Sequence, residues 1–420
     1  VEELEGPPVW KMRKLTYRRR GAGPAGRGQA LSVSAGHLDT IASIEEWEKT
    51  ANVTKDKVMA MIPPELKKRV WWKSTLYLLR ASGYSVLAAI AFRYLEHLEV
   101  GAISVPGLLE SSIFRALFWG IYAVVQGTLL TGLWVVGHEC GHGAYSESAM
   151  LNDAVGFIVH TLLLVPYFAW QFTHGKHHKY TNHLTKGESH VPLAKPTVLH
   201  KFLAAARSIP GAEDLVATPI GLALQLVFGW PLYLLLNVTG GRTNWKQERL
   251  NKGAVITHFF AGSDSQLFPP VWRTRVNISA VAFLCMVGGL AVWSDTYGSG
   301  HMLKWYFCPY LVTNAWLVLY TYLHHTHEGV PHFGDESFNF LRGALCTIDR
   351  PYPGIINHVH LHIGSTHVLH HLNSRIPHYH AEAATEILKD RLGPLYRYDD
   401  RGIVSALWGT FKTCHYVEGV

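Results

Sequence analysis

The chain has 420 residues, of which 48% are hydrophobic, 12% aromatic and only 16% charged. That charged share lies well below the roughly 25% of soluble domains, which excludes an ordinary soluble protein and points to a membrane. The formal charge of +7 gathers near the N-terminus and in loops rather than in a stripe interleaved with aromatics, so nucleic-acid binding is excluded, and basic segments beside apolar spans suit a cytoplasmic face.

Residues 1–40 carry Lys11, Arg13, Lys14, Arg18, Arg19 and Arg20, then a run of Gly, Ala, Pro and Ser. This composition predicts a disordered basic segment. Three acids in the first five residues, Glu2, Glu3 and Glu5, argue against an organelle transit peptide. Residues 41–72 read as a cytoplasmic, amphipathic interfacial segment: a short surface helix, then the basic collar Lys67, Lys68 and Arg69 with Trp71 and Trp72, residues that sit at the headgroup level. Residues 73–420 are expected to form one membrane domain.

Within that domain, stretches of about 20 apolar residues, long enough to span, occur at 77–97, 113–136, 215–238, 275–294 and 303–323. The first two are joined through Pro106 and Gly107 on the far side. The piece at 154–170 is short and interrupted by Pro166, so it is expected to lie in the interface or dip in and return. Segment 215–238 contains Pro219, Gly229 and Pro231 and is expected to be broken or re-entrant. Segments 275–294 and 303–323 form a hairpin around Gly298 and Gly300. The predicted fold is an all-α integral membrane protein with four transmembrane helices, six being the alternative, and a cytoplasmic cap.

Three histidine clusters sit at the edges of these spans: His138-Glu139-Cys140-Gly141-His142, His174-Gly175-Lys176-His177-His178 and His367-Val368-Leu369-His370-His371. Spacings of i, i+3 and i+4 put the imidazoles on one helical face. A chain with 26 histidines produces single pairs by accident, but three boxes at membrane edges exceed that expectation. Eight imidazoles also exceed the needs of one tetrahedral zinc, whereas two iron ions with open positions for O2 would occupy them all. The candidate catalytic and metal-binding residues are therefore His138, His142, His174, His177, His178, His367, His370 and His371. His325, just after the last span, is added as a metal ligand, with His327 as runner-up.

Metal-bound imidazoles need their second nitrogen held. Glu139, Asp153, Glu188 and Asp349 are the acids placed to do it, while His183, His190, His332, His358, His360, His362, His378 and His380 are expected to be structural or solvated. Cys140, Cys285, Cys308, Cys346 and Cys414 are odd in number and form no C-x-x-C pair, which excludes a disulfide framework or zinc knuckle. Cys140 is expected to be a packing residue. The sequons at Asn52, Asn237 and Asn277 are expected to remain unmodified on this topology.

At these motifs the chain resembles the membrane fatty-acyl desaturase family, and within it the Δ12/ω3 acyl-lipid branch. The matching stretches are Ile62-Pro63-Pro64, the first box, Gly229-Trp230-Pro231-Leu232-Tyr233, Asn314 to Val318 leading to His325-Thr326-His327, Arg342-Gly343-Ala344, and Thr366 to His371 followed by Pro377-His378-Tyr379-His380-Ala381. The resemblance implies a non-haem diiron enzyme that uses O2 and two electrons to insert a cis double bond into an acyl lipid. It implies electrons from a separate cytochrome b5 and its reductase in the endoplasmic reticulum membrane, or from ferredoxin in a plastid membrane. A homo- or heterodimer is left open. Gly143, where many plant Δ12 enzymes have histidine, and Arg375-Ile376-Pro377 keep ω3 desaturation of linoleoyl chains as the alternative to oleoyl Δ12 desaturation. A hydroxylase or epoxygenase on the same scaffold is a further one. A metal transporter would call for acids inside the spans, which are nearly free of them.

Overall fold

A computed structural model describes residues 9–11, 44–45, 48–49, 54–98, 112–193, 209, 211–251, 253–254 and 256–417. Of the basic segment 1–40 it describes only Val9–Lys11, a short strand β1 that pairs antiparallel with β2, Pro331–Phe333, in the register Val9 to Phe333. The rest of that segment, the connection through Pro106 and Gly107, and Asn52 lie outside the described residues.

Helix α1, Lys55–Ala60, is capped by the Thr54 hydroxyl accepting from the Lys57 N–H, as a threonine before a helix does. The collar then leads into α2, Trp71–Leu98, with Trp71 and Trp72 more than half exposed at its start. This helix runs antiparallel to α3, Ser112–Gly141. Thr75 meets the Tyr145 hydroxyl at one end, and Phe92 packs on Tyr122 at the other.

Helices α4, Ala149–Leu162, and α5, Tyr167–Lys179, form the expected dipping element. They are bent by 107° at their junction, and the turn places Leu164 in the left-handed region at φ 55°. The chain thus returns to the side it left, and the first two boxes end together.

The segment expected to be broken is instead one continuous helix, α6, Glu213–Leu236. It opens with a π turn over Glu213–Ala217. Pro219 falls in the first turn of the α-helical part, where a missing N–H costs nothing, and Pro231 is carried inside the helix. Its start meets the C-terminal helix, where Asp214 pairs with Lys412, and near its other end the Leu234 carbonyl accepts from the N–H of His258 in the following loop.

Helix α7, Pro270–Tyr297, ends at Gly298, after which Ser299–Met302 and a π turn over Leu303–Phe307 lead into α8, Cys308–His325. This is the expected hairpin. Among the described residues, four helices are long and apolar enough to cross a membrane, namely α2, α3, α6 and α7. The number matches the expectation but the membership differs. Helix α8 falls short in apolar character, since it carries Thr313, Asn314, Thr321, His324 and His325. It lies parallel to α3, and at Gly127 the two come so close that a Cβ would sit 2.5 Å from the Pro309 carbonyl. Thr313 donates to the Gly127 carbonyl and Trp316 to the Thr128 hydroxyl, so these two polar side chains of α8 are satisfied inside the bundle, as a membrane requires.

The cap is built from α9, Phe340–Leu345, α10, Gly354–Val359, α11, His367–Leu372, α12, His378–Leu392, and α13, Ile403–Thr413. Two apolar cores flank its junction with the membrane helices. One gathers Trp134, Tyr167, Trp170 and Trp230, the other Leu345, Leu369, Leu372 and Leu388. In α11 the periodicity divides the labour: Val368, Leu369 and Leu372 enter the cap core, leaving His367, His370 and His371 to face the membrane helices.

Candidate metal centre

The histidines converge between the two cores in two groups. His138, His142, His174, His178 and His370 bring one nitrogen each within 4.8 Å of the others, and His177, His325 and His371 do the same beside them. His367 completes the second group, its Nε2 lying 3.2 Å from Nε2 of His325 and 3.1 Å from that of His371. All eight box histidines and His325 are therefore gathered at one place. His327 is not; its Nδ1 accepts from the Gly329 N–H and its other nitrogen faces Asp399.

Within each group Nε2 faces Nε2, for example His138 and His174 at 2.9 Å and His177 and His325 at 3.1 Å. Each neutral imidazole has one acceptor nitrogen, and several such lone pairs directed at a common point form a socket for a cation. The donor set fits iron: it is all imidazole, buried apart from the half-buried His142 and His174, and arranged in two adjacent groups. Burial holds the His142 imidazole down to about 3 and keeps His367, His370 and His371 well below the usual range, with neighbouring imidazoles adding to the effect. They are thus neutral at physiological pH, the form that ligates metal.

The second nitrogens are held differently from the expectation. His177 Nδ1 donates to the Glu188 backbone carbonyl, and His371 Nδ1 meets the Thr181 hydroxyl at 3.0 Å. Among the four acids proposed as imidazole partners, Glu188 uses its carboxylate for Lys176 and the Gly241 N–H. Asp153 bonds to Gln171 and Arg275, and Asp349 to the backbone of His367 and Val368. Glu139 alone meets an imidazole, that of His378, which lies outside both groups; it accepts from the backbone N–H and from Nδ1, each at 2.9 Å. This ties the first-box helix to the start of α12. The other histidines also bond elsewhere, as in His360 with Tyr320 and the Thr128 carbonyl, and His190 with Thr321.

Sequence reasoning missed three supports. Trp134 stacks on His138 and Trp170 on His174, with centroids 5.4 and 4.6 Å apart. Each tryptophan precedes its histidine by four residues, the helical-neighbour spacing, so the signal was present. Gly141 in the first box leaves room for Trp170, which a Cβ there would meet at 2.5 Å. His324 stacks on His367 at 4.0 Å and bonds the Gly364 carbonyl; its only sequence signal is adjacency to His325. Buried Cys140 is packed in the membrane core, and Asn277 bonds both polar atoms of the Ala261 backbone.

Comparison with known proteins agrees with this geometry. The family model for fatty acid desaturases matches residues 116–401. A Delta(12) fatty acid desaturase of Mortierella isabellina is 39% identical over 74% of this chain and 77% of its own length. An oleate hydroxylase of Claviceps purpurea is 37% identical over 86% of this chain and 76% of its own. A protein of Brassica juncea named omega-6 fatty acid desaturase, endoplasmic reticulum, is 36% identical over 88% and 89%. With the family match covering both histidine groups and relatives aligned over most of their lengths, the chain belongs to the fatty acid desaturase family of membrane oxidoreductases.

Proposed function

We propose that this chain converts oleoyl to linoleoyl groups by Δ12 desaturation, with His138, His142, His174, His178 and His370 holding one iron and His177, His325, His367 and His371 a second. Such a pair, when bound, supplies with O2 and two electrons the power to remove hydrogen from an unactivated C–H bond. The observation that carries this reading is the convergence of nine imidazoles, seven of them buried and His142 and His174 half-buried, beside an apolar cavity. That cavity is small and is lined by Val135, Leu361, Ile363, Leu369 and Ile376 together with His370 and Thr366. Its apolar wall suits methylene groups, and Glu139 with His378 forms its polar corner.

Electrons come from a separate cytochrome b5, in the endoplasmic reticulum membrane with the histidines facing the cytosol. The relatives named for that compartment and the basic collar support this placement. A second reading, hydroxylation of the same oleoyl chain, is favoured by the likeness to an oleate hydroxylase. Expression in yeast, which makes oleate but no linoleate, separates the two. A new cis-9,cis-12 diene in the host lipids is the expected result, a hydroxylated monoene would establish the second reading, and a triene appearing only when linoleate is fed would replace both with ω3 desaturation.

A further inference from the structure

We propose that Ile348-Asp349-Arg350 is a positioning clamp that sets the separation of the two helices supplying His325 and His367 to the second histidine group. The inference rests on the diiron reading above. Helix α8 ends at His325 and α11 begins at His367, and helix ends leave unpaired carbonyls and N–H groups respectively. One buried tripeptide satisfies both. The Ile348 N–H donates to the His324 carbonyl at 3.1 Å, and Arg350 Nε donates to the Leu323 carbonyl at 3.2 Å. Between them, the Asp349 carboxylate accepts through Oδ1 from the N–H groups of His367, at 2.5 Å, and Val368, at 2.9 Å. The Arg350 N–H also reaches the Gly364 carbonyl, the same acceptor that His324 uses while it stacks on His367.

Asp349 and Arg350 are both fully buried, an arrangement that is costly unless each charge is bonded. The partners come from the C-terminal segment. Tyr396 donates its hydroxyl to the second Asp349 oxygen, and Asp399 pairs with Arg350 and Arg401. The Asp349 N–H donates to the Arg397 carbonyl, while the Asp399 N–H donates to the Asp349 carbonyl. Comparable bonding to the first group is not seen among the described residues: neither Asp349 nor Arg350 touches His138, His142, His174 or His178. Those four come from the membrane-side helices and their ends, and only His370 of the first group rides on α11, so the clamp bears mainly on the second metal position, which takes both His367 and His371 from that helix.

The test uses the full chain purified in detergent and reads iron per chain and its rate of release to a chelator. Asp349→Leu, similar in size but without an acceptor, is expected to hold about one iron where wild type holds about two, with release of the affected ion about tenfold faster. Asp349→Asn, which keeps an acceptor at Oδ1, is expected to restore the second iron. Wild-type iron content and release in Asp349→Leu would overturn the clamp. Should that variant fail to fold, Tyr396→Phe decides: biphasic release with one fast iron supports the clamp, and release unchanged from wild type overturns it. Wild type measured alongside separates the failures, because iron missing from wild type itself contradicts the diiron reading and the clamp with it.

Discussion

The two histidine groups are neighbours drawn from the same boxes, yet different forces hold them. In the first, Trp134 and Trp170 stack on His138 and His174, and His138 Nδ1 is buried without a hydrogen-bond partner among the described residues. In the second, polar groups hold His177, His371 and the start of α11, namely the Glu188 carbonyl, the Thr181 hydroxyl and the Asp349 carboxylate, although Nδ1 of His325 and of His367 is also buried without a partner among the described residues. The first group lies where membrane helices pack and aromatic surface is the available support. The second lies under the cap, whose loops bring hydrogen-bonding groups. On the proposed reading one metal centre is thus supported partly by apolar packing and partly by polar bonding, and the two groups should fail in different ways.

The largest effects should come from the imidazoles themselves and should not distinguish the groups. His142→Ala or His178→Ala in the first, and His371→Ala or His325→Ala in the second, each remove a ligand and should abolish product formation in yeast. Equal loss in His325→Ala is the sharper result, because that residue lies outside the three boxes; the neighbouring His327→Ala should keep most activity. Next in size is a stability effect confined to the first group. Trp170→Ala deletes a buried ring at the bend between α4 and α5, and thermal unfolding in detergent should report a loss of about 3–5 kcal/mol. The smallest effect belongs to the second group. Thr181→Val keeps the shape of the side chain but removes the hydroxyl from His371, so iron affinity by chelator competition should fall about tenfold with little change in unfolding temperature. If Trp170→Ala altered only iron affinity, or Thr181→Val only stability, the contrast between the groups would collapse.

The ligand candidates were legible in the sequence because a helix converts i, i+3 and i+4 spacing directly into a shared face. The dip at 154–170 was legible through parity, since His142 and His174 need the same side. The supports were not, because carbonyls and loop residues carry no periodic signal; nothing in the local sequence of Asp349 points to the N–H of His367. The same limit explains α6. Pro219 and Pro231 read as breaks, but proline in a first turn needs no N–H donor, and whether a proline within a helix interrupts it depends on neighbours that the sequence does not reveal. Helix α8 shows the other side of the limit: it falls below the apolar helices in composition, yet some of the polar residues responsible are bonded where it packs against α3 and the histidines.

Iron stoichiometry with Mössbauer spectroscopy of the purified wild-type chain addresses most directly the claim that both groups form a single centre. Two irons per chain, magnetically coupled to one another, are predicted. A single iron, or two that behave as independent ions, would contradict the account.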